Sequence, residues 1–99
     1  MGAGSSKTYT NITPAMFDCV KKNSHDEHGT VYDPADGNTG TATTVVKILL
    51  TKHVIVLSFD FEPSTSTLSY VIVQEPTVVT DDEIWDGICK TITECGGNC

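Results

Sequence analysis

An α+β fold is predicted for this chain by three features of its sequence. A Val/Ile/Thr-rich block occupies residues 43–79 and is broken by turn residues into strand-length pieces. A short amphipathic segment lies on each side of it, and each of these segments opens on a helix-start signal. The expected architecture is an antiparallel sheet of three to four strands with two helices on one face, in the order (β)-α-β-β-β-α. Ninety-nine residues suffice for one modest core. Residues 1–8, small and polar, are expected to form a flexible tail to a single domain at 9–99.

Tyr9 to Ile12 are read as a short edge strand. Thr13-Pro14 supplies an N-cap and a proline at the first helical position, where the missing N–H costs nothing. Met16, Phe17 and Val20 share one face of the helix that follows, which is expected to run to Asn23 or a little beyond. Residues 24–40 are polar and turn-rich, with Gly29, Asp33-Pro34 and Asp36-Gly37-Asn38, and form the longest irregular stretch.

Strands are expected at 44–50 and 53–61, joined by a two-residue turn at Thr51-Lys52, and at 67–74 after the turn Glu62-Pro63-Ser64-Thr65-Ser66. In the central strand Ile55, Leu57, Phe59 and Phe61 share a face assigned to the helices. The opposite face carries Val54, Val56, Ser58 and Asp60, with Val45, Leu49, Val71 and Val73 beside them, and is more aliphatic than a solvated sheet surface usually is. Thr80 and Glu83 form a capping box, Val79 and Ile84 sit at the staple positions, and Asp81 and Asp82 complement the helix dipole. Ile84, Trp85, Ile88 and Ile92 make the apolar stripe of this second helix, and Gly96-Gly97 stops it.

Four cysteines, Cys19, Cys89, Cys95 and Cys99, lack the paired knuckles of a zinc site and are read as two disulfides formed in an oxidising compartment. Cys19 can face Cys89 while Cys95 and Cys99 close a small ring, or Cys19 can pair with Cys95 or Cys99. The N-terminus has no apolar signal region, so a secreted chain is expected here in processed form with a start methionine added. Asn11-Ile12-Thr13 is formally a glycosylation sequon, with meaning only for a chain secreted from a eukaryote.

A net charge of −7, with six lysines and no arginine, disfavours nucleic acid and anionic membrane surfaces as partners. No run of residues approaches the length of a membrane span. His25 and His28, one turn apart on a helix, can share a zinc ion with Asp33 or His53, although the pattern is not that of a zinc protease. Residues 33–40 hold several oxygen ligands without the alternation of a calcium loop. No cofactor motif and no nucleophile–base set is present. The expected function is that of a small secreted, disulfide-stapled binding protein of toxin, effector or inhibitor type, meeting a protein partner or a second copy of itself through Val45, Leu49, Val54, Val56, Val71 and Val73. Two alternatives are an intracellular adaptor N-myristoylated at Gly2 and a small metal-dependent hydrolase.

Overall fold

A computed structural model describes residues 4–99. Its elements are β1 (Ser6–Tyr9), α1 (Pro14–His28), β2 (Val31–Asp33), β3 (Thr39–Ile48), β4 (Thr51–Glu62), β5 (Thr67–Gln74) and α2 (Asp81–Glu94). The strands form one antiparallel sheet in the order β1-β5-β4-β3-β2. The sheet thus has five strands rather than three to four.

The N-terminal edge strand, expected at Tyr9 to Ile12, lies at Ser6–Tyr9 instead, and β2 is the added strand at the opposite edge. Residues 6–8, expected in a flexible tail, pair with β5 from Ser6 opposite Val71 to Tyr9 opposite Leu68. The ladder continues outward through Gly4 N–H to the Ile72 carbonyl and Ile72 N–H to the Ser5 carbonyl, both at 2.8 Å. β2 lies inside the stretch expected to be irregular, and turns Tyr32 inward opposite Ala42. Met1 and Gly2, on which the myristoylation alternative depends, lie outside the described residues.

The helices follow their caps. Thr13 Oγ1 accepts from Met16 N–H at 3.1 Å, and the helix it starts continues past Asn23 to His28. Gly29 ends it in the left-handed region, φ 70°, with its N–H on the His25 carbonyl. At α2 the capping box is complete: Glu83 N–H donates to Thr80 Oγ1 at 3.2 Å and Glu83 Oε1 accepts from Thr80 N–H at 3.0 Å.

The core lies between the helices and one sheet face. Leu57, Phe59 and Phe61 of β4 are buried there with Leu68, Tyr70 and Ile72 of β5, and the helices contribute Phe17, Val20, Ile84, Trp85 and Ile92. Phe17 sits at the centre of an aromatic group, 4.7 Å from Phe61, 5.7 Å from Phe59 and 6.1 Å from Tyr32 between ring centroids. Lys21 lies over the outer side of the Phe17 ring at 4.5 Å and donates to the Ala35 carbonyl at 3.0 Å, tying the β2–β3 connection to α1.

Two disulfides join Cys19 to Cys95 and Cys89 to Cys99. The pairing of Cys19 with Cys89 does not form, because α1 meets the C-terminal end of α2, where Cys95 is the cap residue. Gly96, at φ 92°, and Gly97, whose N–H bonds the Ile92 carbonyl, turn the tail back so that Cys99 reaches Cys89. Two bridges in so short a chain are compatible with an extracellular protein. Among the described residues no helix is long and apolar enough to cross a membrane.

Candidate functional site

Strand alternation sends one set of side chains away from the helices. Of the valines assigned from sequence to this second face, the pairing places Val45, Val54, Val56 and Val71 on it, Val45 51% exposed and Val54 and Val56 half-buried, while Val73, also 51% exposed, has no cross-strand partner. A register shift between Val56 and Leu57 adds one residue to β5 here. Val31 of β2, 55% exposed, joins the same face opposite Thr43 and was hidden from sequence reasoning inside a stretch read as loop. Thr8 and Ser69 extend it toward β1, with their hydroxyls 2.9 Å apart.

Leu49 is not on this face. The hairpin between β3 and β4 turns at Leu49-Leu50, with Ile48 opposite Thr51, and not at Thr51-Lys52. Both leucines have positive φ, 50° and 70°, the signature of a type I′ turn. Asn-Gly is favoured in such a turn because branched side chains are strained in the left-handed region. Here two leucines adopt it and stand 93% and 88% exposed. Lys47 and Lys52 are direct cross-strand partners just below them, a like-charge pairing that weakens a ladder. No acidic residue occurs between Asp36 and Asp60, so this end of the sheet is basic on an acidic protein. Residues 44–48 and 51–55 pair only with each other, since β2 stops at Thr43 and β5 at Val56; the hairpin is a two-stranded arm with its leucines at the tip.

On the helix side, the arm and α2 leave a cleft of about 320 Å³. Its walls are Ala42, Thr44, Val46 and Ile48 of β3, Ile55 and Leu57 of β4, and Ile84, Gly87, Ile88 and Thr91 of α2, with Tyr32 and Tyr70 at its base. Exposed His28 of α1 and Glu83 of α2 also line it, and the threonine and tyrosine hydroxyls are turned on one another or on the backbone. Tyr32 and Tyr70 hydroxyls are 2.7 Å apart, Thr30 and Thr44 hydroxyls 2.6 Å apart, and Thr91 Oγ1 donates to the Gly87 carbonyl at 3.1 Å.

Burial raises the Tyr32 phenol, and it lifts Tyr70 well above the ordinary value, an effect reinforced by its neighbour Tyr32. Tyr9, whose hydroxyl donates to the Trp85 carbonyl at 3.4 Å, is pushed up to about 12 by burial and then by Asp86. Each of these groups holds its proton more tightly folded than unfolded. The stability they give is therefore complete below pH about 10 and is lost as pH rises from there toward the folded values. In an alkaline titration, tyrosinate absorbance is expected to rise together with loss of far-ultraviolet circular dichroism. Ionisation of all three rings with the fold intact would mean that they are not held as described.

The histidines do not assemble a metal site. His25 Nδ1 is 3.2 Å from the Thr30 carbonyl, His28 Nε2 lies 3.9 Å from its neighbour Glu27, and Asp33 is exposed on β2 while His53 pairs with Val46 in the arm. Among the described residues, no group of three or more His, Cys, Asp or Glu side chains is placed to hold a metal ion. All four cysteines are consumed by the two bridges. Comparison of the chain with protein-family models, with characterised proteins and with solved structures gives no match.

Proposed function

We propose that this is a small extracellular, disulfide-stapled recognition protein of toxin, effector or inhibitor type, which acts by binding another protein surface through its open sheet face and the tip of its arm. The observation that carries this reading is the display of Leu49 and Leu50. Three local preferences are violated at one place: two non-glycine residues in left-handed backbone, two leucines in water and two lysines face to face. Such conflicts are concentrated where function requires them. The adjoining valines form the flatter part of the same surface, and the lysines favour a partner with an acidic rim.

Two variants separate recognition from folding. Val45→Lys places a charge on the open face at the base of the arm, where a long side chain still reaches water, so the monomer remains folded. Leu49→Asn with Leu50→Gly supplies the residues that a type I′ turn prefers, and is expected to stabilise the monomer by about 1–2 kcal/mol while removing the leucines. Sedimentation over a concentration series is expected to show self-association of the wild type that both variants lose. If the wild type stays monomeric, cross-linking from position 45 in the extracellular fluid of the producing organism identifies a different partner, provided that the leucine variant fails to trap it. A monomeric wild type with no variant-sensitive cross-link overturns the reading.

A further inference from the structure

The cleft between α2 and the arm is on the other side of the sheet from the open face, and it carries an anomaly of its own. Gly87 lies in the middle of α2, a helix that is otherwise well capped and amphipathic. Glycine is the poorest helix former after proline, and it is kept inside helices where its backbone freedom or its small size is needed. Its backbone freedom is not used here, because it is helical. Close packing does not require it either, because a Cβ built at Gly87 meets nothing within 4 Å. What a side chain at this position would occupy is the cleft, whose wall Gly87 forms.

We infer that the cleft is a binding site for an uncharged, unbranched aliphatic chain, and that Gly87 is present to keep it open. The shape argues for a chain. On the sheet side the wall runs from Ala42 to Ile48, about 20 Å of strand; on the helix side it runs from Glu83 to Thr91, about 12 Å of helix. A volume of about 320 Å³ between walls of this length accommodates one extended hydrocarbon chain.

The chemistry of the walls argues for an uncharged ligand. The hydroxyls of Thr30, Thr44, Thr91, Tyr32 and Tyr70 are paired with each other or with the backbone, and the charged or basic side chains of the lining, Glu83 and His28, are exposed. Recognition therefore rests on shape and apolar contact from Val46, Ile48, Ile55, Ile84 and Ile88. No lysine lines the cleft, while the carboxylate of Glu83 and the imidazole of His28 do, so a carboxylate head group meets a like charge at Glu83 and is disfavoured relative to a hydroxyl.

The test is titration of the intact, oxidised protein with 1-decanol, followed by the methyl resonances of its isoleucines. Saturable shifts are expected at Ile48, Ile55, Ile84 and Ile88 and not at Ile12, with decanoate at neutral pH binding at least about ten-fold more weakly. Gly87→Ala is expected to raise Tm by about 4–8 °C and to weaken decanol binding. Gly87→Leu, which fills the trough, is expected to fold and to lose binding altogether. Val45→Lys, on the opposite side of the sheet, is expected to bind decanol as the wild type does, so failure here and failure of the recognition surface are read separately. Absence of saturable shifts in the wild type, or undiminished binding by Gly87→Leu, overturns the inference. If Gly87→Leu does not fold, the alanine variant decides: unchanged affinity in it is equally contrary.

Discussion

Replacing Cys19 and Cys95 together by alanine is expected to cost about 4.5 kcal/mol, and replacing Cys89 and Cys99 about 2.8 kcal/mol. The difference arises in the unfolded chain. The first bridge closes a loop across a sequence separation of 76 and the second across only 10, so the first removes more conformations from the denatured ensemble. It also has a native role that the second lacks, fastening α1 to the C-terminal cap of α2. Domains of this size are commonly stable by 5–15 kcal/mol, so loss of the long bridge is expected to bring the protein close to its unfolding threshold. Urea denaturation of the two double variants checks this, with the single tryptophan as probe. Equal losses would mean that Cys19 is not the anchor of α1.

The parts of the fold legible in the sequence are those whose determinants are local. Thr80 and Glu83 announce α2 because both halves of a capping box lie within one turn, and Ile55, Leu57, Phe59 and Phe61 announce the buried face of β4 because alternation is a property of the strand alone. The N-terminal edge strand is read too late, at Tyr9–Ile12, because Ser6, Lys7 and Thr8 show no apolar alternation; they are ordered by an edge of β5 distant in sequence. β2 was hidden by its three-residue length, and only Tyr32, buried against the Phe17 cluster, distinguishes it from the loop around it. The cysteine pairing was open for a similar reason. It depends on where two helices meet, and nothing in the spacing of Cys89, Cys95 and Cys99 states that.

The candidate sites were the least legible, and for an opposite reason. At Leu49-Leu50 the sequence offers a strong strand signal where the chain turns, and polar Thr51-Lys52 beside it drew the turn to the wrong place. At Gly87 it offers a helix weakener where the helix continues unbroken. Each is a position at which local preference and global fold disagree, and each borders an apolar surface or cavity. A replacement that satisfies the local preference is therefore expected to stabilise both positions, which a purely structural residue would not allow.

Phe17→Ala is expected to cost about 3–5 kcal/mol, at the upper end of what a core truncation does. Phe17 is 1% exposed, and its ring meets rings from both β2 and β4, namely Tyr32, Phe59 and Phe61. Removing it leaves a cavity that the rigid sheet cannot close, and forfeits aromatic contacts worth about 0.5–1.5 kcal/mol each beyond area burial. It also takes away the ring beneath Lys21, whose ammonium holds the Ala35 carbonyl. Phe17→Leu separates these contributions: it restores most of the volume without the ring, and is expected to recover more than half of the loss if cavity formation dominates. Denaturation of both variants with the disulfides intact provides the comparison. A loss below about 1 kcal/mol for Phe17→Ala would mean that α1 is held against the sheet by the Cys19–Cys95 bridge and not by its core packing.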